Sequence, residues 1–196
     1  MKRLIAVAAV AACLVYPKVG WAEGKFKAYV AAAYVAPLSE SDQDFGGVTE
    51  AVKASKEFGF NFGAEFRASS MIGLELDYLY AKQDVEASTS GILGETTFQP
   101  ISATLNFHVL ASQFDVYGGP TVSYVNWGDL KVPSSPDVKL EATTAFGISA
   151  GADMGIAPRF AVTGGLRWLS LKAKPEGGSD VNVNPLFARI GLVAKF

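Results

Sequence analysis

The sequence predicts an all-β protein: an eight-stranded antiparallel transmembrane β-barrel with four long external loops and short periplasmic turns. Three observations carry this. In the final stretch, residues 186–196 (LFARIGLVAKF), Leu186, Ala188, Ile190, Leu192, Ala194 and Phe196 form one apolar face. Phe187, Arg189, Gly191, Val193 and Lys195 form a mixed one carrying two cations. Period-two alternation is a strand signal, because successive side chains point to opposite sides of a pleated backbone. The pattern recurs upstream until eight strands are counted. The chain also opens on what reads as an export signal.

That opening has Lys2 and Arg3 as a positive n-region, an apolar run over residues 4–16, and Pro17 to end it. Small residues at Gly20 and Ala22 predict cleavage after Ala22, giving a signal peptide of residues 1–22 and a barrel domain of residues 23–196. The alternative is a lipobox at Val10-Ala11-Ala12-Cys13, which would make Cys13 a lipidated first residue. Without Lys2, Arg3 and Lys18, 14 cations remain against 19 anions, a net charge of −5. That charge argues against a nucleic-acid partner. Cys13 is the only cysteine, so the mature chain would have no disulfide or thiolate chemistry. No later run of ~18 apolar residues offers a helical span. Membrane residence then requires a closed barrel, the other structure that satisfies every backbone group in lipid.

The elements follow in order. Residues 25–36 form the first strand, with Phe26, Ala28, Val30, Ala32 and Tyr34 on one face and no clear polarity to orient it. Residues 38–56 read as a long polar loop. The second strand, 57–67, is the clearest: Phe58, Phe60, Phe62, Ala64 and Phe66 oppose Glu57, Gly59, Asn61, Gly63, Glu65 and Arg67. Four phenylalanines against water would be an aggregation hazard, whereas against lipid they stabilise. The third, 71–83, sets Ile72, Leu74, Leu76, Tyr78 and Tyr80 against Gly73, Glu75 and Asp77. After a loop at 84–97, the fourth alternates Ile101, Ala103, Leu105, Phe107 and Val109 with Ser102, Thr104, Asn106 and His108. The fifth, 114–124, has its parity blurred by Gly118-Gly119-Pro120. A loop at 126–139 precedes the sixth, 141–154, with Phe146, Ile148, Ala150 and Met154 against Glu141, Thr143, Ser149 and Asp153. The seventh, 160–171, turns Phe160, Val162, Leu166 and Trp168 outward, and a loop at 173–184 leads to the eighth. Alternating long and short connections are expected of an outer-membrane barrel in a Gram-negative bacterium. A soluble lipocalin-type barrel would instead turn its apolar face inward.

At this point the chain resembles the OmpW family of outer-membrane proteins. Asn184-Pro185 followed by residues 186–196, Ala33-Tyr34-Val35-Ala36-Pro37 near the start, Gly151-Ala152-Asp153 and Leu166-Arg167-Trp168-Leu169 carry the resemblance. Leu186 and Ala194 depart from the aromatics usual there, so the wider class is the small eight-stranded barrels of the OmpA and OmpX type. The resemblance implies a narrow, partly apolar lumen and uptake of small hydrophobic compounds.

The expected lumen residues are Glu57, Asn61, Glu65, Arg67, Glu75, Asp77, Thr104, Asn106, His108, Glu141, Asp153, Arg167 and Arg189, with Lys195 beside them. The expected lipid-facing residues are Phe58, Phe60, Phe62, Phe66, Leu74, Leu76, Tyr78, Tyr80, Phe107, Phe146, Trp168 and Phe196. Inward carboxylates could flank a scissile bond, but an eight-stranded interior is only wide enough for its own side chains. Paired charges that plug it are therefore the expectation. His108, the only histidine, lacks a second His or Cys for a metal site and a well-placed Ser for catalysis. No enzyme activity, cofactor or metal is expected. Trp127 reads as an interface anchor, or alternatively as a wall of an apolar mouth. Expected partners are outer-membrane lipid, small hydrophobic solutes, and the barrel-assembly machinery through the strand ending in Phe196. A second function reading is a structural or adhesive barrel whose four loops bind host surface, phage or other proteins. A third is a lipid-modifying enzyme.

Overall fold

A computed structural model describes residues 25–44, 49–87, 91–111, 114–133, 136–176 and 180–196. The expected signal peptide and cleavage site, and Cys13, lie outside them. The described residues form β1 (Phe26–Pro37), β2 (Ser41–Asp44), β3 (Thr49–Ala54), β4 (Glu57–Arg67), β5 (Ile72–Ala87), β6 (Gly91–Ala111), β7 (Phe114–Trp127), β8 (Leu140–Glu141), β9 (Thr143–Ala157), β10 (Phe160–Ser170), β11 (Lys172–Pro175), β12 (Val181–Asn182) and β13 (Pro185–Lys195). Eight of these close a ring, in the order β1, β4, β5, β6, β7, β9, β10, β13. Every neighbouring pair is antiparallel, and β1 meets β13 in register from Lys27↔Lys195 to Pro37↔Pro185. The ring therefore has no free edge.

Alternation decides which face is which. On β4, Phe58 is 76% and Phe60 69% exposed, while Asn61 is 2% and Glu65 0%. Across the ring, the outward positions of 26–36, 58–66, 72–80, 101–109, 114–124, 144–154, 160–170 and 186–194 carry no charged side chain. An uncharged apolar belt around a closed β-ring is a surface for hydrocarbon. Rings pair on it: Tyr34 with Phe58 at 5.1 Å, Phe62 with Tyr78 at 5.2 Å, and Phe26 with Phe196 at 6.0 Å. Above the belt, Lys82 and Glu95 bond at 2.9 Å. That hydrogen bond raises the Lys82 ammonium and lowers the Glu95 carboxyl from their ordinary ranges.

Two orientations that the sequence left open are fixed by the ring. On β1, Lys27, Tyr29, Ala31, Ala33 and Val35 point inward. On β7, Asp115, Tyr117, Thr121, Ser123 and Val125 do so, and the β7–β9 register runs unbroken through Gly118-Gly119-Pro120. Gly119 is needed there, because a Cβ would strike the Leu105 carbonyl on β6.

The external segments differ from the expected loops. Residues 84–87 and 91–97 continue β5 and β6 as a paired ribbon, with Gln83↔Thr96 and Val85↔Gly94 in register and a bulge at Val85/Glu86. Residues 38–56 contain the β2–β3 hairpin, and β3 pairs with β5. Residues 173–184 hold β11 and β12, and within 126–139 Leu130 bridges to Val138. Above the membrane the outward face carries charges such as Lys82 and Glu95 and the buried inward face carries Gln83 and Thr96, so the apolar/polar alternation that marks a strand disappears while pairing persists. Glu141 is corrected for the same reason. It lies on β8, opposite Lys174 of β11, and is exposed outside the lumen.

The lipid-facing assignment has a direct test. Ile190 is mid-strand and 67% exposed on the outer face. Ile190→Arg should destabilise the barrel by ~2–4 kcal/mol in bilayers, the cost of a cation near the midplane. Urea unfolding in phospholipid vesicles measures it, and a change below ~0.5 kcal/mol would contradict the orientation.

Candidate functional site

The interior is built in two storeys, because the inward residues change character along each strand. On β5 they run Gly73, Glu75, Asp77, Leu79, Ala81; on β10 Thr163, Gly165, Arg167, Leu169; on β13, read toward the outside, Gly191, Arg189, Phe187. The end bearing the short turns is mainly ionic, with a small apolar patch of Tyr29, Ala31, Ala161 and Val193 on one wall. The end bearing the long connections is apolar.

The lower storey is a connected network. Lys27 Nζ donates to Asp153 Oδ2 at 3.0 Å, lies 3.3 Å from Glu65 Oε2, and sits 4.0 Å over the Tyr117 ring. Arg67 donates to Glu65 at 3.2 Å and to Asp115. His108 stands between these carboxylates, Nδ1 3.0 Å from Asp115 Oδ1 and Nε2 3.1 Å from Glu65 Oε1, the latter contact off the hydrogen-bond axis. Glycine makes this crowding possible: a Cβ on Gly73 would lie 2.8 Å from the Glu65 carboxyl carbon and 3.0 Å from His108 Nε2.

One level up, Arg167 holds Asp77 by a fork, Nη1 to Oδ1 at 2.9 Å and Nη2 to Oδ2 at 2.6 Å. Arg189 holds Glu75 likewise, at 2.8 Å and 3.1 Å, and stacks on Tyr29. Such bidentate pairs are the strong, geometrically specific form of ion pairing. Asn61 adds a bond to Asp77 at 3.0 Å, and Asn106 ties the levels together through Glu65 (2.7 Å) and Glu75 (3.3 Å). Thr104 bonds Thr121 at 2.7 Å on the adjoining wall.

The upper storey is a core: Ala33, Val35, Leu79, Ala81, Phe98, Val125, Ala145, Leu169, Leu171 and Phe187, with Trp127 packed against it. Phe98 centres three aromatic rings, 5.0 Å from Trp127 and 5.6 Å from Phe187. Trp127 is thus an inward residue and not a membrane-interface anchor, because its odd position on β7 shares the face of Val125. Between the storeys lies a cavity of about 20 Å³.

Of the residues expected in the lumen, Asn61, Glu65, Arg67, Glu75, Asp77, Thr104, Asn106, His108, Asp153, Arg167 and Arg189 meet in the network or on its wall. Glu57 sits at the outer rim, accepting from Ser55 Oγ at 3.2 Å. Lys195 is half-buried at the lower end. Lys27, Asp115, Tyr29 and Tyr117 escaped sequence reasoning because the parity of β1 and β7 was open. The resemblance implied a partly apolar lumen but not which residues form it, although Asp77-Leu79 and Arg167-Leu169 record the change of character two residues apart. Among the described residues no three His, Cys, Asp or Glu side chains converge as metal ligands.

Residues 5–196 match the family model of the outer membrane protein β-barrel domain. Outer membrane protein OprG of Pseudomonas aeruginosa superposes with a TM-score of 0.76 at 20% identity, covering 89% of this chain and 96% of that one. Outer membrane protein AlkL, solved in lipid bilayers, gives 0.67 at 18% identity, covering 92% and 95%. Outer membrane protein W of E. coli gives 0.52 at 18% identity, covering 89% and 98%. These likenesses show a shared eight-stranded barrel fold, in keeping with the resemblance drawn from the sequence. No match is found among curated proteins.

Arg167→Met should cost ~3–5 kcal/mol, because it strands the Asp77 carboxylate in the interior. Adding Asp77→Leu should recover much of that loss, as apolar replacement of a whole buried pair is often neutral. Urea unfolding of the single and double variants in vesicles measures both steps. A double variant no more stable than the single would refute the pairing account.

Proposed function

The chain belongs to the outer membrane protein β-barrel family, and from that premise we propose that it is a non-enzymatic conduit for small hydrophobic molecules. One observation carries the reading: an outer-membrane barrel usually has a polar interior, whereas this interior is apolar through its outer half. A solute arriving from outside would leave water for the storey around Phe98, Leu169 and Phe187. It would not continue downward, since the ionic network fills the lower lumen and offers nothing to an apolar guest. Its exit would be sideways through the wall into the membrane. The non-enzymatic part of the reading rests on His108, whose ring is enclosed by Glu65 and Asp115 with no exposure.

The test is flux into liposomes bearing the purified barrel, comparing an apolar solute with a polar one of similar size. The barrel should speed only the apolar solute. Leu169→Asp, which puts a charge into the apolar storey, should cut that gain by at least about tenfold, an unpaired buried charge being costly beside an apolar guest. No acceleration of either solute by the native barrel would sink the proposal.

A second reading rests on the outer ribbon of β5 and β6, which stands above the charged Lys82–Glu95 boundary and exposes Ile92 to 63%. Ribbons of this kind offer a surface to another protein or a host cell. Shortening the ribbon across residues 86–92 should leave a folded barrel that no longer adheres to cells bearing the partner. Adhesion by the native protein that survives the deletion would remove this reading.

A further inference from the structure

The junction between the storeys has a polarity of its own. Its cavity is lined on the polar side by Asn61, Arg167 and Arg189 and on the apolar side by residues including Ala33, Leu79 and Phe187. Arg167 and Arg189 both line it, but neither Glu75 nor Asp77 does. Arg167 is 8% exposed. Its Nη1 and Nη2 are engaged by Asp77, Glu75 and Thr104. Its Nε–H is buried and has no partner among the described residues. An unsatisfied buried donor on a cation costs free energy until something accepts from it.

We propose that this junction is a head-group site for an apolar solute ending in a carboxylate, with the tail in the apolar storey and the head accepting from Arg167 Nε. The inference rests on the uptake reading and names the class of solute. The cavity, about 20 Å³, has room for one water, so one carboxylate oxygen can take that place without moving the wall. An anionic acceptor is favoured over an alcohol because two arginines and no carboxylate line the space, and charge-assisted hydrogen bonds are about twice as strong as neutral ones. The planar guanidinium, with donors fixed in direction, suits a planar carboxylate. The tail would run past Ala33, Leu79 and Phe187, where aliphatic carbons meet aliphatic and aromatic walls.

The experiment uses the barrel in phosphatidylcholine nanodiscs, with empty discs subtracted, and three probes of one skeleton: octane, 1-octanol and octanoate labelled with ¹³C at its carboxyl. Octanoate should bind about tenfold more tightly than 1-octanol, the scale set by a charge-assisted hydrogen bond. Its bound carboxyl signal should stay that of the ionised form to lower pH than in empty discs. Arg167→Lys keeps the cation but removes the forked donor set, and should shrink the preference to about twofold. Ala33→Leu fills the cavity from β1 without touching a charge, and should bring octanoate down to the level of 1-octanol. It carries the test if the lysine variant fails to fold. Equal binding of octanoate and 1-octanol by the native barrel overturns the head-group site and leaves uptake standing. So does a preference that survives both substitutions. Binding of none of the three above empty discs overturns the uptake reading, and this site with it.

Discussion

Inside a bilayer no water is available to a strand's free N–H and C=O groups, and each one left unpaired costs several kcal/mol. The pairing of β1 with β13 answers that constraint, and the remaining architecture follows from it. Eleven successive residue pairs, Lys27↔Lys195 to Pro37↔Pro185, join the first barrel strand to the last. Closure with eight strands fixes the diameter, and an eight-stranded barrel is only wide enough for its interior to be filled by side chains. Every inward position is thereby a packing problem. The glycines answer part of it: Gly73 makes way for Glu65 and His108, and Gly151 for the Tyr117 ring, which a Cβ would approach to 2.8 Å.

Filling such an interior with charge is costly unless each charge is paired and hydrogen-bonded. Here the cations are shared: Glu75 accepts from both Arg167 and Arg189, and Glu65 faces Lys27, Arg67 and His108 together. Removing one member exposes several others, so the network resists piecemeal change and gains its stability from completeness. An apolar filling of equal volume would serve stability as well. The polar choice has a different consequence, since it closes the lower lumen to apolar guests.

The sequence made the outer face plain and the inner one only partly so. Phe58, Phe60, Phe62 and Phe66 announce lipid because a membrane-facing surface must be uniformly apolar, and their partners Asn61 and Glu65 are identified by default. The same logic fails wherever both faces are apolar or both polar. On β1, Ala28, Ala31 and Ala33 give no contrast, so Lys27 and Tyr29 stayed unplaced. On the external ribbon, Thr96 pairs with Gln83 as a buried inward residue while charged Lys82 and Glu95 stand on the outer side, so both faces are polar and 84–97 read as loop. The anchor reading of Trp127 fails for a related reason, and its alternative as an apolar wall fits better: an aromatic near the rim suits an interface anchor, and only the parity of β7 turns it inward onto Phe98. The storeys were written in the chain as a change of inward residue at Asp77-Leu79 and Arg167-Leu169. Strand-by-strand reading does not see it, because the change is a gradient across several strands at one height.

That gradient bears on direction. On the uptake reading, a solute among Phe98, Leu169 and Phe187 has left water and gained apolar contact, and deeper travel would require displacing bidentate ion pairs. The wall at the junction below is thin in side chains: Gly165, opposite Arg189 on β13, lies opposite Gly151 across β10 and β9, and Gly164 opposite Ala152. Beside them Leu166 pairs with Ala150 on the lipid side, with hydrocarbon beyond. Backbone hydrogen bonds still close this wall, so passage needs a transient local separation of strands. Small residues lower the packing lost in that event but leave the ladder bonds to be broken and remade. The rate of exit would then depend on how often β9 and β10 part near Gly165, and the ionic storey below would hold the rest of the ring together while they do.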